Sequence, residues 1–117
     1  MLTTIIAAAA LATCPPSGAR HHCVVDGDTL WFEGEKIRIA EIDTPEMNGR
    51  CPAERALARR AQARLVELLN AQPVRFERVG TDRYGRTLAR FGSISETLIR
   101  EGLAQRWPRR KAWCADE

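Results

Sequence analysis

The sequence predicts an α+β domain, a small closed barrel of five strands carrying one long helix and a short second one. Three observations point there. Short runs rich in Val, Ile, Leu, Trp and Phe fall between turns marked by Gly, Asp and Pro, as half-buried strands do. Residues 52–70 instead repeat their apolar positions every three or four residues, the period of an amphipathic helix. The chain has 117 residues, enough for one domain around one modest core. In so short a chain, antiparallel strands of this number dispose of their open edges by closing on themselves.

The elements follow in order. Residues 1–13 are apolar and rich in small side chains, and Cys14-Pro15-Pro16 follows. This looks like the apolar core and cleavage site of a secretory signal, although no Lys or Arg precedes it. Leu11-Ala12-Thr13-Cys14 also looks like a lipoprotein processing box, which would put a lipid anchor on Cys14. The expectation is an export segment over 1–14, a Pro- and Gly-bearing linker over 15–21, and one domain over 22–117, secreted or periplasmic. Val24-Val25 leads into the turn Asp26-Gly27-Asp28. Strands follow over 29–33 and 36–42, joined at Glu33-Gly34-Glu35 and stopped by Pro45, which lacks a ladder N–H.

Helix 52–70 presents Ala53, Leu57, Ala61, Leu65 and Leu68 as its stripe, with Pro52 at its first position and Asn70 at its end. Gln72-Pro73 opens a strand over 74–79, and a turn over 80–85 leads to another over 86–91. Ser93-Ile94-Ser95-Glu96 reads as a capping box for a short helix that stops at Gly102. The tail then carries Arg106, Trp107, Arg109, Arg110, Lys111 and Trp113.

Lys and Arg number 18 against 15 Asp and Glu, a net charge of +3 that permits a polyanionic partner without demanding one. Composition is globular, with 44% hydrophobic and 28% charged residues, and no apolar run approaches the ~18 residues that span a bilayer. Cys14, Cys23, Cys51 and Cys114 are dispersed, with no Cys-x-x-Cys pair, and suit a disulfide framework with three connectivities. Cys51 begins the main helix and Cys114 nearly ends the chain, so a bridge between them is expected to pin the tail.

Three polar clusters carry the chemistry. They are Asp26-Gly27-Asp28-Thr29, Arg38 with Asp43-Thr44-Pro45-Glu46, and Thr81-Asp82-Arg83-Tyr84-Gly85-Arg86. Each alone is an ordinary turn or solvated edge. Together they suit phosphodiester hydrolysis, whose transition state gathers negative charge on the phosphoryl oxygens. Arg38 and Arg86 remain protonated and can bond two oxygens at once. Asp28 and Asp43 could hold a hard divalent cation, and Glu46 could orient or activate water. No Ser-His-Asp or Cys-His arrangement competes, because His21 and His22 are adjacent at the domain edge.

The segments VVDGDTLWFEGEKIRIAEIDTPE, TDRYGR and SETLIREGLA, in that order over about residues 23–104, closely resemble the staphylococcal nuclease, or thermonuclease, family. The resemblance implies an OB-fold barrel and calcium-dependent cleavage of DNA or RNA that leaves 3′-phosphate products. It makes Asp28 and Asp43 calcium ligands together with the Thr44 carbonyl, and sets Asp26 beside that site. It makes Glu46 the general base, Arg38 and Arg86 the phosphate-binding arginines, and puts Arg83 and Tyr84 against bound nucleotide. From oxygen donors alone, magnesium stays open.

Two departures stand out. The hairpin between Asp28 and Arg38 and the loop after Glu46 are shorter than in the staphylococcal enzyme, which continues into a third helix where this chain has the Trp107 to Trp113 tail. That tail either contacts nucleic acid by phosphate pairing and base stacking or seals the barrel. The expected partner is a DNA or RNA substrate, with the protein a monomer and no obligate protein partner. The rival expectation, a non-catalytic OB module binding single strands, gives no reason for three carboxylates to crowd a phosphate site.

Overall fold

The computed structural model describes residues 10–115. Strands β1 (Ala12–Thr13), β2 (Cys23–Asp26), β3 (Thr29–Phe32), β4 (Glu35–Ile39) and β5 (Ile42–Asp43) precede helix α1 (Pro52–Ala71). Strands β6 (Glu77–Thr81) and β7 (Thr87–Arg90), helix α2 (Ser93–Arg100) and strand β8 (Gln105–Arg106) complete the described residues. One sheet runs β1-β2-β3-β4-β7-β6, and a small second sheet pairs β5 with β8. The five principal strands therefore adjoin as first, second, third, fifth and fourth, with β4 and β7 parallel and the β2-β3-β4 meander antiparallel. This mixed α+β arrangement is that of an OB fold, a five-stranded, partly open Greek-key barrel. No helix among the described residues is long and apolar enough to cross a membrane.

Local sequence explains the hairpins. Glu33 and Gly34 both take positive φ, at 49° and 87°, so a two-residue turn closes β3 onto β4 with Phe32 opposite Glu35. The expected 36–42 strand is broken in two. The Arg38 guanidinium donates to the carbonyls of Ile39 and Ile42, folding the chain around itself between β4 and β5. Glu41 in the bend accepts the backbone N–H groups of Phe91 and Gly92. The strand expected over 74–79 begins later, at Glu77, because β7 stops at Arg90 directly opposite.

Helix α1 begins at Pro52 as expected, but its inward stripe is turned from the one read from sequence. The inward face is Glu54, Ala58, Ala61, Leu65 and Leu69, while Ala53 is exposed and Leu57 and Leu68 are half-buried. Glu54 turns inward because the preceding loop needs an acceptor, as the site below shows. Gln72, forced into extended backbone ahead of Pro73, stops the helix. Asn70 is occupied otherwise: its side-chain amide takes both the N–H and the C=O of Leu11, at 2.9 and 2.8 Å.

The capping box at α2 does not form. Gly92, at φ 59°, is the cap, Ser93 contributes no capping hydrogen bond, and Glu96 pairs with Arg106 instead. Ser93 is the first residue of the helix rather than its cap, so the serine and Glu96 stand one position out of capping register, and the exposed Glu96 takes Arg106 instead. The C-terminus ends as expected, with Gly102 at φ 76° and the Leu103 N–H returning to the Leu98 carbonyl.

Most of the expected export segment, residues 1–9, lies outside the described residues. Its last part packs on the domain: Leu11 enters the core, and β1 pairs in parallel with β2. Cys14 is bonded to Cys23, and a sulfur in a disulfide cannot carry a thioether-linked lipid, so the expected anchor at Cys14 is not supported. Cys51 and Cys114 are bridged as expected, closing the chain over a separation of 63 residues.

Two measurements check these tethers. In the chain-entropy view the Cys51–Cys114 bridge contributes about 4 kcal/mol and the short Cys14–Cys23 loop about 2–3 kcal/mol. Urea unfolding of the paired alanine variants should therefore show the larger loss for C51A/C114A, and the reverse order would contradict this account. Glu35 ties three strands, accepting Arg78 from β6 at 2.9 Å and Thr87 from β7 at 2.7 Å. Those hydrogen bonds hold its carboxyl down at about 2, below its ordinary 4.5. Protons bind the unfolded chain more readily over that interval, so this stabilisation is present above pH 4.5 and fades as pH falls toward 2. Glu35→Gln should flatten the acid limb of a thermal-stability profile.

Candidate active site

The β2–β3 turn builds one wall. β2 carries a bulge between Val24 and Asp26, which re-aims Asp26 and increases the local twist. The bulge carbonyls of Val24 and Val25 are met by the Gln62 amide of α1, at 3.3 and 3.0 Å. Gly27 follows at a contact with no room for a side chain: a Cβ there would lie 2.8 Å from the Ala61 Cβ and 2.9 Å from the Thr44 Cγ2. Backbone thus presses directly against α1 and the Asp43-Thr44-Pro45-Glu46 segment. Asp26 accepts the Asp28 N–H at 3.2 Å, and Asp28, only 7% exposed, accepts the Thr29 hydroxyl at 3.1 Å and the Thr44 N–H at 3.3 Å.

The second wall is the segment after β5. Its shape comes from Glu54, 4% exposed in the first turn of α1, whose two oxygens accept the backbone N–H groups of Glu46 and Arg50 at 3.0 and 3.1 Å. The same carboxylate fills the space where any side chain at Gly49 would go. Thr44 and Pro45 are buried beneath, leaving Asp43 half-buried and Glu46 on the rim.

These walls bring four carboxylates within mutual electrostatic reach. Burial first, then the neighbouring Asp28 and Glu46 charges, push Asp26 up to about 7. Asp43 is raised by burial and by Asp28, against the opposing pull of Arg38 and Arg109. Glu46 is raised by partial desolvation and by Asp28, Asp43 and Glu54. Such crowding leaves the cluster short of positive charge. Its donors are all oxygens, the set a hard divalent cation takes, and Asp28, Asp43 and the Thr44 carbonyl therefore fit the metal-binding roles expected of them. Among the described residues, the tightest such grouping is a different one, Cys51, Glu54 and Cys114, whose ligand atoms lie within 4.8 Å of one another, but its two sulfurs are spent in a disulfide and present no thiolate.

Two arginines share a cleft, and one of them, Arg38, reaches the carboxylates. Arg38 is held by the Ile39 and Ile42 carbonyls and stands 3.5 Å from Asp28. Arg86 comes from the far end of the chain, with its Nε donating to Asp82 at 2.6 Å. Asp82 also accepts the backbone N–H groups of Tyr84 and Arg86, each at 2.9 Å. Partial desolvation opposes the Asp82 charge, but these hydrogen bonds outweigh it and hold its carboxyl below the usual range. Arg38, Arg86, Asp82, Ala40, Leu88 and Trp107 line one cleft of about 270 Å³. Tyr84, 69% exposed, stands at its edge with the guanidiniums of Arg83 and Arg86 over its ring at 5.0 and 5.7 Å.

Arg38 thus links the two groups read from sequence, pairing with Asp28 of the carboxylate cluster and sharing a cleft with Arg86, against which Tyr84 and Arg83 lie. Sequence reading missed Glu54, Gln62 and Asp82 as the residues that set the others in place, and Arg109, whose backbone and charge act on Asp43. A signal existed for two of them. Cys51-Pro52-Ala53-Glu54 puts an acid in a first helical turn, and Asp82-Arg83-Tyr84 has the form of an Asx turn. Gln62 and Arg109 act through contacts distant in sequence. Trp107 does not seal the barrel, being 60% exposed.

The chain is 33% identical over 90 residues to an uncharacterized endonuclease of Haemophilus influenzae, covering 69% of this chain and 47% of that protein. It is 30% identical over 98 residues to a micrococcal nuclease of Shigella flexneri, covering 69% and 53%. It is 37% identical over 68 residues to the succinoglycan biosynthesis protein ExoI of Rhizobium meliloti, covering 54% and 36%. The chain spans about half the length, or less, of these curated relatives. A family model described as staphylococcal nuclease homologue matches residues 36–115, and the chain belongs to that family.

Proposed function

We propose that the protein is a calcium-dependent nuclease that hydrolyses phosphodiester bonds of DNA, RNA or both and leaves 3′-phosphate ends. The observation that carries the reading is the convergence of Arg38 and Arg86 on one cleft beside a desolvated carboxylate cluster. Family membership and the nuclease names of two relatives support it. Secretion or a periplasmic location suits two disulfides, which persist in oxidising compartments.

In this reading Asp28, Asp43 and the Thr44 carbonyl hold the cation, which when bound supplies Lewis-acid polarisation of a phosphoryl oxygen. Arg38 and Arg86 pair with the remaining phosphoryl oxygens, where charge grows toward the transition state. Both are already oriented, Arg38 by two carbonyls and Arg86 by Asp82, so little side-chain freedom is lost when phosphate arrives. Glu46, raised by its surroundings, is a stronger base than an ordinary carboxylate and takes the proton of the attacking water. Tyr84 and Arg83 border the cleft where the nucleoside would lie.

Arg86→Ala should lower kcat on single-stranded DNA by about 10²–10³-fold, with only the small loss of thermal stability that goes with its pair to Asp82. Arg86→Lys should recover little of it, because an ammonium cannot bond two oxygens in a plane. Arg38→Lys should lose stability as well as turnover, since one ammonium cannot replace the guanidinium at Ile39, Ile42 and Asp28 together. Wild-type kcat in Arg86→Ala would remove that residue from the mechanism. Cleavage followed with calcium, with magnesium and with chelator, using Glu46→Ala as control, tests the reaction itself.

A binding linkage supplies an independent check. The crowded carboxylates repel one another without a cation, so calcium should raise the melting temperature in a concentration-dependent way. Asp28→Asn should largely abolish the rise. An identical melting temperature in calcium and chelator would contradict the assigned ligands.

A further inference from the structure

The tail after α2 forms a loop that is fixed at several points and faces outward with aromatic and basic groups. At its start, β8 pairs with β5, and the Trp107 N–H bonds the Glu41 carbonyl. The Gln105 amide then staples the loop across itself, accepting the N–H groups of Arg110 and Lys111 and donating to the Lys111 carbonyl, at 3.0–3.2 Å. Arg109 donates to the same carbonyl at 2.8 Å and lies over the Trp113 ring at 6.0 Å, and Cys114 closes the loop through its disulfide.

This loop and the end of α2 enclose a second concavity of about 680 Å³. Among the described residues, no acidic side chain lines it. Its walls carry the rings of Trp107, Pro108 and Trp113 and the cations of Arg106, Arg110 and Lys111, of which Arg106 is already paired with Glu96. Trp107 lines both this groove and the cleft that holds Arg38 and Arg86, so the two adjoin at that ring.

We propose that the tail groove binds the single strand flanking the scissile phosphate, with bases stacked on the tryptophans and phosphates paired with Arg110 and Lys111. The proposal rests on the nuclease reading for what fills the cleft. Charge complementarity and adjacency to the cleft at Trp107 select the occupant: an acidic protein surface would match the cations but would not need rings set among them. A fixed loop favours such binding, since little ordering remains to be done when the strand arrives. A duplex holds its bases stacked internally, so the groove also predicts preference for single strands.

The test is anisotropy of a labelled oligothymidylate of about 20 nucleotides, longer than the roughly 4–16 an OB fold covers. It is run in chelator over a range of salt. R110E/K111E should bind about tenfold more weakly and flatten the log K against log salt slope by about 1.4, two phosphates at about 0.7 each. Trp113→Ala should weaken binding about tenfold at every salt concentration without changing the slope. Turnover of a one-nucleotide p-nitrophenyl phosphodiester, which fills only the cleft, should be unchanged in R110E/K111E. Should the double reversal unfold the tail, Lys111→Gln is read in the same way for a slope change of about 0.7. Wild-type affinity and slope in a folded variant would overturn the proposal, as would a wild-type dimer that the double variant dissolves. Because binding is read in chelator, a chain that binds but never cleaves removes the nuclease reading and leaves the groove. A chain that cleaves while the variants bind normally does the opposite.

Discussion

The contact at Gly27 is the constraint on which the site depends. Only a residue without a Cβ lets the β2–β3 turn press on Ala61 and Thr44. That approach carries Asp26 and Asp28 on either side of the glycine into reach of Asp43 and Glu46, which come from a different stretch of chain. It also buries them. Desolvation together with like charge lifts three of these carboxylates above their ordinary range, a cost the fold sustains only because packing over-determines the geometry. Gln62 and Glu54, both on α1, complete the arrangement by satisfying the backbone on each side. One helix thus serves as core element and as template for both walls of the site.

The arginines show a related economy of position. Arg38 bends the chain between β4 and β5, and the bend is what delivers Asp43 to Asp28. Arg86 is steered by Asp82, whose other oxygen organises the turn bearing Tyr84. Each guanidinium is therefore placed by groups that are not acidic partners in the cluster itself, or are so only at the longer distance of Arg38 to Asp28. Preorganisation of this kind is where electrostatic stabilisation of a transition state gains most, because the protein does not reorganise when charge develops.

Stability and site meet again at the tail. The Cys51–Cys114 bridge joins the first turn of α1, where Glu54 holds the loop of Glu46, to the segment whose Arg109 acts on Asp43. The covalent closure of the chain and the floor of the site are neighbours. The same closure holds Trp107 at the junction of the two concavities.

Much of this was legible in the sequence, and the rest was not for definite reasons. Five strands, the long helix and the Glu33-Gly34 turn follow from alternation, period and glycine placement, which act over a few residues. The three polar clusters, read together, point to side chains that the fold brings near one another, Asp26, Asp28, Asp43 and Glu46 by mutual charge and Arg38 with Arg86 along one cleft. What the sequence could not determine is anything settled by contact between distant segments. The rotation of α1 that buries Glu54 in place of Ala53 and the capture of Leu11 by Asn70 are such outcomes. So is the groove at Trp107 to Trp113, whose rings and cations in sequence fitted either a sealed barrel or an open surface. Local propensity is worth tenths of a kcal/mol to about one per residue, whereas a buried carboxylate or a charge-assisted pair left unsatisfied costs more. Where the two compete, tertiary structure decides.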